Sequence, residues 1–140
     1  MNLSTHFTLE EMTVSQTASR LGIENTPTAQ DLANLRELAE ALEQVRALLG
    51  RPLLITSGYR SAKLNEAVDG SVHSAHMLGY AADFISPPQS PLDICHAIAR
   101  SPILFDQLIQ EYDWVHFAIS RTNRRQLLTR TGGGYVQGIA

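Results

Sequence analysis

The stretch "DWVHFAIS", residues 113–120, decides how the chain is read. Its alternation is that of a strand: period two puts Val115, Phe117 and Ile119 on one face, suited to a core. Trp114, His116, Ala118 and Ser120 fall on the other face. Small neighbours at 118 and 120 leave room beside His116 for a ligand or a metal. A half-exposed strand histidine is the plainer alternative.

A second strand is predicted over "GYAADFIS", residues 79–86, and a third over "PLLITS", residues 52–57. Asp83 lies between Ala82 and Phe84, so its carboxylate leaves by the face opposite theirs. Such a carboxylate is costly inside an apolar strand unless paired, hydrogen-bonded or metal-bound. His76 precedes it by seven residues, with Gly79 between to let the chain turn. His76 and Asp83 from one segment, with His116 from a distant strand, would make a three-ligand zinc site with its fourth position open. Asp113 stands three residues before His116, so strict alternation puts it on the opposite face. It reaches the site only if the chain bends at Trp114. Arg60, after the turn "SGY", could hold a carboxylate or an oxyanion, or be an ordinary surface arginine.

Helices account for most of the rest. In "ENTPTAQDL" Thr28 can cap and Asp31 sits in the first turn. Leu32, Leu35, Leu38, Leu42, Val45 and Leu49 then recur at helical spacing until Gly50 and Pro52. This stripe reads as core. A short helix is expected around Leu9–Met12 or Val14–Leu21, another over 61–67, and one over 91–100 begun by Ser90 and Pro91. A further short helix is expected over 103–110. Residues 121–130 are basic and read as helical or irregular, a solvated face or a contact for an anionic polymer. The Gly-rich tail 131–140 reads as mobile. The fold class is α+β, a small antiparallel sheet with helices packed on it. Residues 1–130 are expected to form one domain.

The 140 residues suit one domain, and one this long buries about two-thirds of its unfolded surface. Apolar residues make up 44% and charged ones 18%, a globular composition. A net charge of −3 gives no electrostatic case for nucleic acid. Cys95 is the sole cysteine, so no internal disulfide forms, and it reads as a buried inert thiol. No segment has the apolar length of a membrane span or the pattern of a secretory signal. Synthesis in the cytoplasm is expected.

Taken together, "SGYRSAKLN", "SAHMLGYAAD" and "DWVHFAIS" resemble the zinc D-alanyl-D-alanine carboxypeptidases and related peptidoglycan endopeptidases, peptidase family M15. That group includes phage cell-wall lysins and vancomycin-resistance dipeptidases, and its fold is similar to the hedgehog signalling domain. Its Ser-x-His and Gly-x-Ala-x-Asp elements are met by Ser74, His76, Gly79, Ala81 and Asp83. Its acid-Trp-x-His element is met by Asp113, Trp114 and His116. The likeness runs from about Phe7 to Ile119, and "HFTLEEM" resembles the opening of a phage-type subgroup.

The resemblance implies that His76, Asp83 and His116 bind Zn2+. It makes Asp113 the general base and acid, and Arg60 a group that binds substrate or stabilises the transition state. Ser74 would touch substrate or support a ligand, and Trp114 would wall the pocket. Two positions depart from many relatives: Asp69-Gly70 replaces Gly-Gly, and His73 replaces an uncharged residue. His73 reads as a solvated loop residue, and His6 and His96 as structural. The implied function is hydrolysis of a peptide bond in the peptidoglycan stem peptide or cross-bridge, by carboxypeptidase or endopeptidase action. The implied enzyme is a monomer that touches neither nucleic acid nor membrane. It would reach the wall through a phage or lysis route, or on a virion. The alternative is a non-catalytic, zinc-containing wall-binding or phage tail module.

Overall fold

The computed structural model describes residues 1–139. Two short helices open the chain, α1 (Leu9–Thr13) and α2 (Gln16–Leu21). The Thr8 side chain accepts from the Glu11 amide and the Glu11 carboxylate accepts from the Thr8 amide, a reciprocal cap on α1. The long helix α3 (Ala29–Leu49) starts as the sequence predicts, with Thr28 accepting from the Asp31 amide. It ends at Gly50, which takes a left-handed conformation with φ 69°. Leu35, Leu38, Ala39, Leu42 and Val45 are buried along it, while Leu32 and Leu49 pack at the margin.

The remaining elements are β1 (Leu54–Ser57), α4 (Ala62–Ala67), a 3-10 turn (Ala75–Leu78), β2 (Ala81–Ile85), α5 (Pro91–Ala99), β3 (Gln107–Gln110), β4 (Val115–Ala118), β5 (Gln126–Thr131) and β6 (Gly134–Gln137). They form an α+β fold around one six-stranded sheet in the order β1-β2-β4-β3-β5-β6. Ala82, Phe84, Leu108, Val115 and Phe117 present one face of it to α3 and α5, and all five are fully buried. Cys95 lies in this core, and burial pushes its thiol up to about 12. No helix among the described residues is long and apolar enough to cross a membrane.

The sheet departs from the sequence-based expectation in three places. It is mixed rather than purely antiparallel, because β5 runs parallel to β3. The loop 119–125 steps over the start of β3, so the chain leaving β4 enters β5 alongside it. Asp106 fixes that crossing: it accepts from the Ser120 hydroxyl at 2.9 Å, the Arg124 amide at 3.1 Å and the Arg124 guanidinium at 2.9 and 3.0 Å. The helix expected over 103–110 is instead β3, because "QLIQ" alternates and pairs on both sides. The basic stretch and the Gly-rich tail supply β5 and β6, joined by a turn at Gly132 and Gly133.

Candidate metal centre and active site

Strand register builds the site. Asp83 pairs with His116, and His116 pairs with Ile109. Residues directly opposite in a ladder project from the same face. Asp83 and His116 therefore share the face away from the core, as alternation along each strand requires. A bulge between Ile55 and Ser57 brings Ser57 opposite Asp83, and the chain leaves β1 towards this face at Gly58.

The third member comes from the 3-10 turn. The Ser74 hydroxyl accepts from the His76 amide at 3.2 Å, and Gly79 closes the turn with φ 78°. From α3, Asn34 Nδ2 donates to the Leu78 carbonyl at 2.8 Å. His76 is buried, and its Nδ1 lies 2.8 Å from the Gly58 carbonyl oxygen. A carbonyl can only accept, so Nδ1 carries the proton and Nε2 offers its lone pair to the site. Gly58 is itself packed hard against α1: a Cβ there would sit 2.3 Å from the Met12 carbonyl oxygen. That carbonyl accepts from the Tyr59 amide at 2.7 Å. Asn25 ties the same loop, donating to the Thr13 and Tyr59 carbonyls and accepting from the Ser61 amide. The N-terminal segment thus supports the loop that orients His76.

His76 Nε2 lies 3.3 Å from Asp83 Oδ1, and His116 Nδ1 lies 3.0 Å from the same oxygen. One ligand atom from each of the three residues falls within 4.8 Å of the others. Tetrahedral ligands about 2.0–2.1 Å from a zinc ion stand about 3.3 Å apart, so the spacing fits a metal of that size. Burial would push the Asp83 carboxyl up, but the imidazoles against it, His116 foremost, hold it well below the ordinary carboxylate range. Burial pushes His76 down, which keeps its imidazole neutral. An ionised carboxylate and a neutral imidazole are the forms that bind metal.

A cavity of about 600 Å3 opens over this centre. Its wall includes Arg60, Ser74, His76, Asp83, Trp114 and His116, so six of the residues singled out in the sequence meet there. Arg60 Nη2 donates to the Ser74 hydroxyl at 3.3 Å, and the Arg60 amide donates to the His76 carbonyl. The Arg60 Nε is buried without an acceptor among the described residues. His73 lies exposed at the rim, and His6 pairs with Glu43 away from the site.

Asp113 does not join them. The Glu111 amide donates to the Trp114 carbonyl at 3.1 Å, closing a tight turn between β3 and β4. Asp113 sits exposed in that turn and is not part of the cavity wall; the chain bends over 112–114 without carrying it inward. Besides Asp83, the carboxylates lining the cavity are Asp69, Asp106 and Glu111; Asp69 is exposed, Asp106 is taken up by Arg124, and Glu111 is buried, 8% exposed. It continues the alternation of Ile109, whose partner is His116. Burial raises its pKa; Asp83 adds to the rise, while His116 and Arg130 oppose it. Reading residues 103–110 as a helix hid this position. The same stretch read as a strand gives Gln107, Ile109 and Glu111 one face.

The basic stretch divides as well. Arg124 is held by Asp106, whose carboxyl is lowered to about 2 chiefly by that guanidinium. Arg125 lies over the Phe105 ring and donates to the Ala99, Ser101 and Ile103 carbonyls. Arg130 lines the cavity. Residues 5–118 match the family model described as Peptidase M15. No curated protein matches the chain.

Proposed function

Because the chain belongs to the peptidase M15 family, we propose that it is a zinc-dependent peptidase of bacterial peptidoglycan. The observation that carries this reading is the His76, Asp83 and His116 group, open to a cavity that also holds a buried carboxylate and a guanidinium. Two imidazoles and one carboxylate are a donor set that suits zinc, and three protein ligands leave a position for water or substrate. Bound there, the ion would polarise the scissile carbonyl and acidify a water. Glu111 takes the proton of the attacking water and returns it to the leaving amine. Burial raises its pKa, which favours its acting as both base and acid. Arg60 meets the charge that develops on the carbonyl oxygen or grips a substrate carboxylate, steadied by Ser74. Trp114 walls the pocket.

A second cavity of about 370 Å3, between α2, α4 and the end of β1, shares Arg60, Val68 and Asp83 with the first. Room on both sides of the metal centre supports cleavage within a cross-bridge or stem peptide over removal of a terminal residue. A buried carboxylate beside the metal group also favours an enzyme over a wall-binding or tail module, which needs no base. The proposed enzyme works as a monomer on the wall after release by a phage or lysis route, or as part of a virion.

The test is digestion of purified peptidoglycan by zinc-loaded protein, with and without a chelator, read by mass spectrometry. New internal amino termini that vanish with chelation are expected. Release of single terminal D-alanine would transfer the reading to carboxypeptidase action. No new products at all would sink it.

A further inference from the structure

Strands β5 and β6 lie beyond residues 5–118, the part that the family model covers, yet they complete the cavity. Arg130 of β5 pairs directly with Tyr135 of β6, and both line the wall. Leu128, two residues before Arg130, is in register with Ile109 and so with His116. The hairpin therefore points these two side chains from the face that carries the metal group.

Arg130 is held in place but little used. Its Nη1 lies 3.0 Å from the Tyr135 hydroxyl and 3.9 Å from Glu111 Oε1. Its guanidinium stands over the Tyr135 ring at 5.1 Å and the Tyr112 ring at 5.8 Å. Stacking fixes the plane of the group without using its donors. An arginine carries five N–H donors, and among the described residues only one hydrogen bond is made. Arg124 and Arg125 are by contrast taken up by Asp106 and by backbone carbonyls.

We propose that Arg130, oriented by Tyr135, is a specificity-determining residue that binds a carboxylate of the peptide substrate on the far side of the metal centre from Arg60. The sheet order supplies the distance. Arg60 follows β1, the metal group stands on β2 and β4, and Arg130 is on β5, two strands beyond β4. Two strand spacings are about 10 Å, the reach of about three extended residues. The carboxylate bound by Arg130 therefore belongs to a residue within about three positions of the scissile bond. A planar guanidinium accepts it through two parallel hydrogen bonds.

This inference rests on the peptidase reading, and the test keeps the two apart. Two stem peptides are compared, one with its glutamate α-carboxylate free and one with that group as the carboxamide. A charge-assisted hydrogen bond predicts a preference in kcat/KM for the free acid of about tenfold or more. In Arg130→Gln that preference falls to near one. Arg130→Lys keeps the charge but not the fork and retains part of it, and Tyr135→Phe weakens it. Thermal melting of each variant checks folding. An acid-to-amide ratio that is unchanged in Arg130→Gln overturns the proposal. Calorimetric titration of both peptides into zinc-loaded protein reads the same ratio without turnover. If the wild type cleaves neither peptide, the peptidase reading fails while the binding ratio still decides the role of Arg130. Equal binding of the two peptides by the wild type, or binding of neither, overturns it.

Discussion

Glu111→Gln separates the two carboxylates that compete for the role of base. Glutamine has the shape of glutamate and can still accept from the Tyr135 hydroxyl, but it cannot take a proton. A positioned general base contributes about 10²–10⁴-fold, or about 3–5 kcal/mol of barrier. The structural cost of the change is small by comparison. Among the described residues the only ion pair lost is the 3.9 Å contact with Arg130, whose side chain is 42% exposed, and such pairs are worth about 0–1 kcal/mol. Replacing a buried carboxylate by a neutral amide also removes a desolvation cost. The melting temperature should therefore move by only a few degrees. The three metal ligands are untouched, so bound zinc should stay at one ion per chain. Asp113→Asn, at an exposed turn position, should change kcat/KM by less than about threefold. The assay is initial-rate cleavage of a stem peptide by both variants after zinc loading, with metal content and melting curves measured in parallel. If Asp113→Asn lost a hundredfold while Glu111→Gln stayed near wild type, the assignment of Glu111 would be refuted and the turn would have to open inward in solution.

Other perturbations have equally defined outcomes. Gly79→Ala must hold alanine at φ 78° and would set its Cβ 2.6 Å from the Asp31 carbonyl oxygen. The left-handed conformation costs about 1–2 kcal/mol and the overlap about 1–3 more, so the melting temperature should fall by about 8 °C or more; a shift under 2 °C would contradict the packing. Zinc at a hundredfold excess over its dissociation constant should stabilise the protein by about 2.7 kcal/mol, an effect that calorimetry should find abolished in Asp83→Ala. The lowered Asp106 carboxyl sets a pH dependence. Its folded pKa of about 2 lies below the ordinary 3.8, so its contribution is present above pH 3.8 and is lost as pH falls towards 2. Asp106→Asn should therefore show a shallower loss of stability over that range in acid denaturation, and parallel curves would reject the role.

Two members of the metal group were legible because they sit in strands whose alternation is strong, and His76 was legible from its spacing to Asp83 with Gly79 between. Val115 and Phe117 are so apolar that their alternation fixes the face of His116, and Ala82 and Phe84 do the same for Asp83. The α3 stripe was equally plain, since a 21-residue helix samples its period several times. What stayed hidden depends on partners distant in the chain. "QLIQ" is four residues long, too short for periodicity alone to distinguish a strand from a helical turn, and β4 and β5 on its two sides decide it. Read as a helix, the stretch hid the position of Glu111 on the cavity face, whereas Asp113 was singled out by its spacing to His116 and by the acid-Trp-x-His resemblance. The parallel arrival of β5 rests on Asp106 and the loop it holds, a tertiary arrangement with no local signature. Arg130 and Tyr135 reach the cavity only because "TGGG" turns the chain back, where glycine richness suggested a loose end.

Under the proposed metal-binding role, the pairing of Asp83 with His116 would also make metal uptake a reporter of assembly. A one-residue slip between β2 and β4 would set Ala82 or Phe84 across from His116 and turn the carboxylate into the core. Such a chain could keep its secondary structure and still lack a metal-binding group. With the proposed site, the fraction of molecules that take up one ion would therefore count those with the correct strand register. In a refolded or heavily mutated preparation, metal stoichiometry would separate native molecules from near-native ones that circular dichroism scores alike.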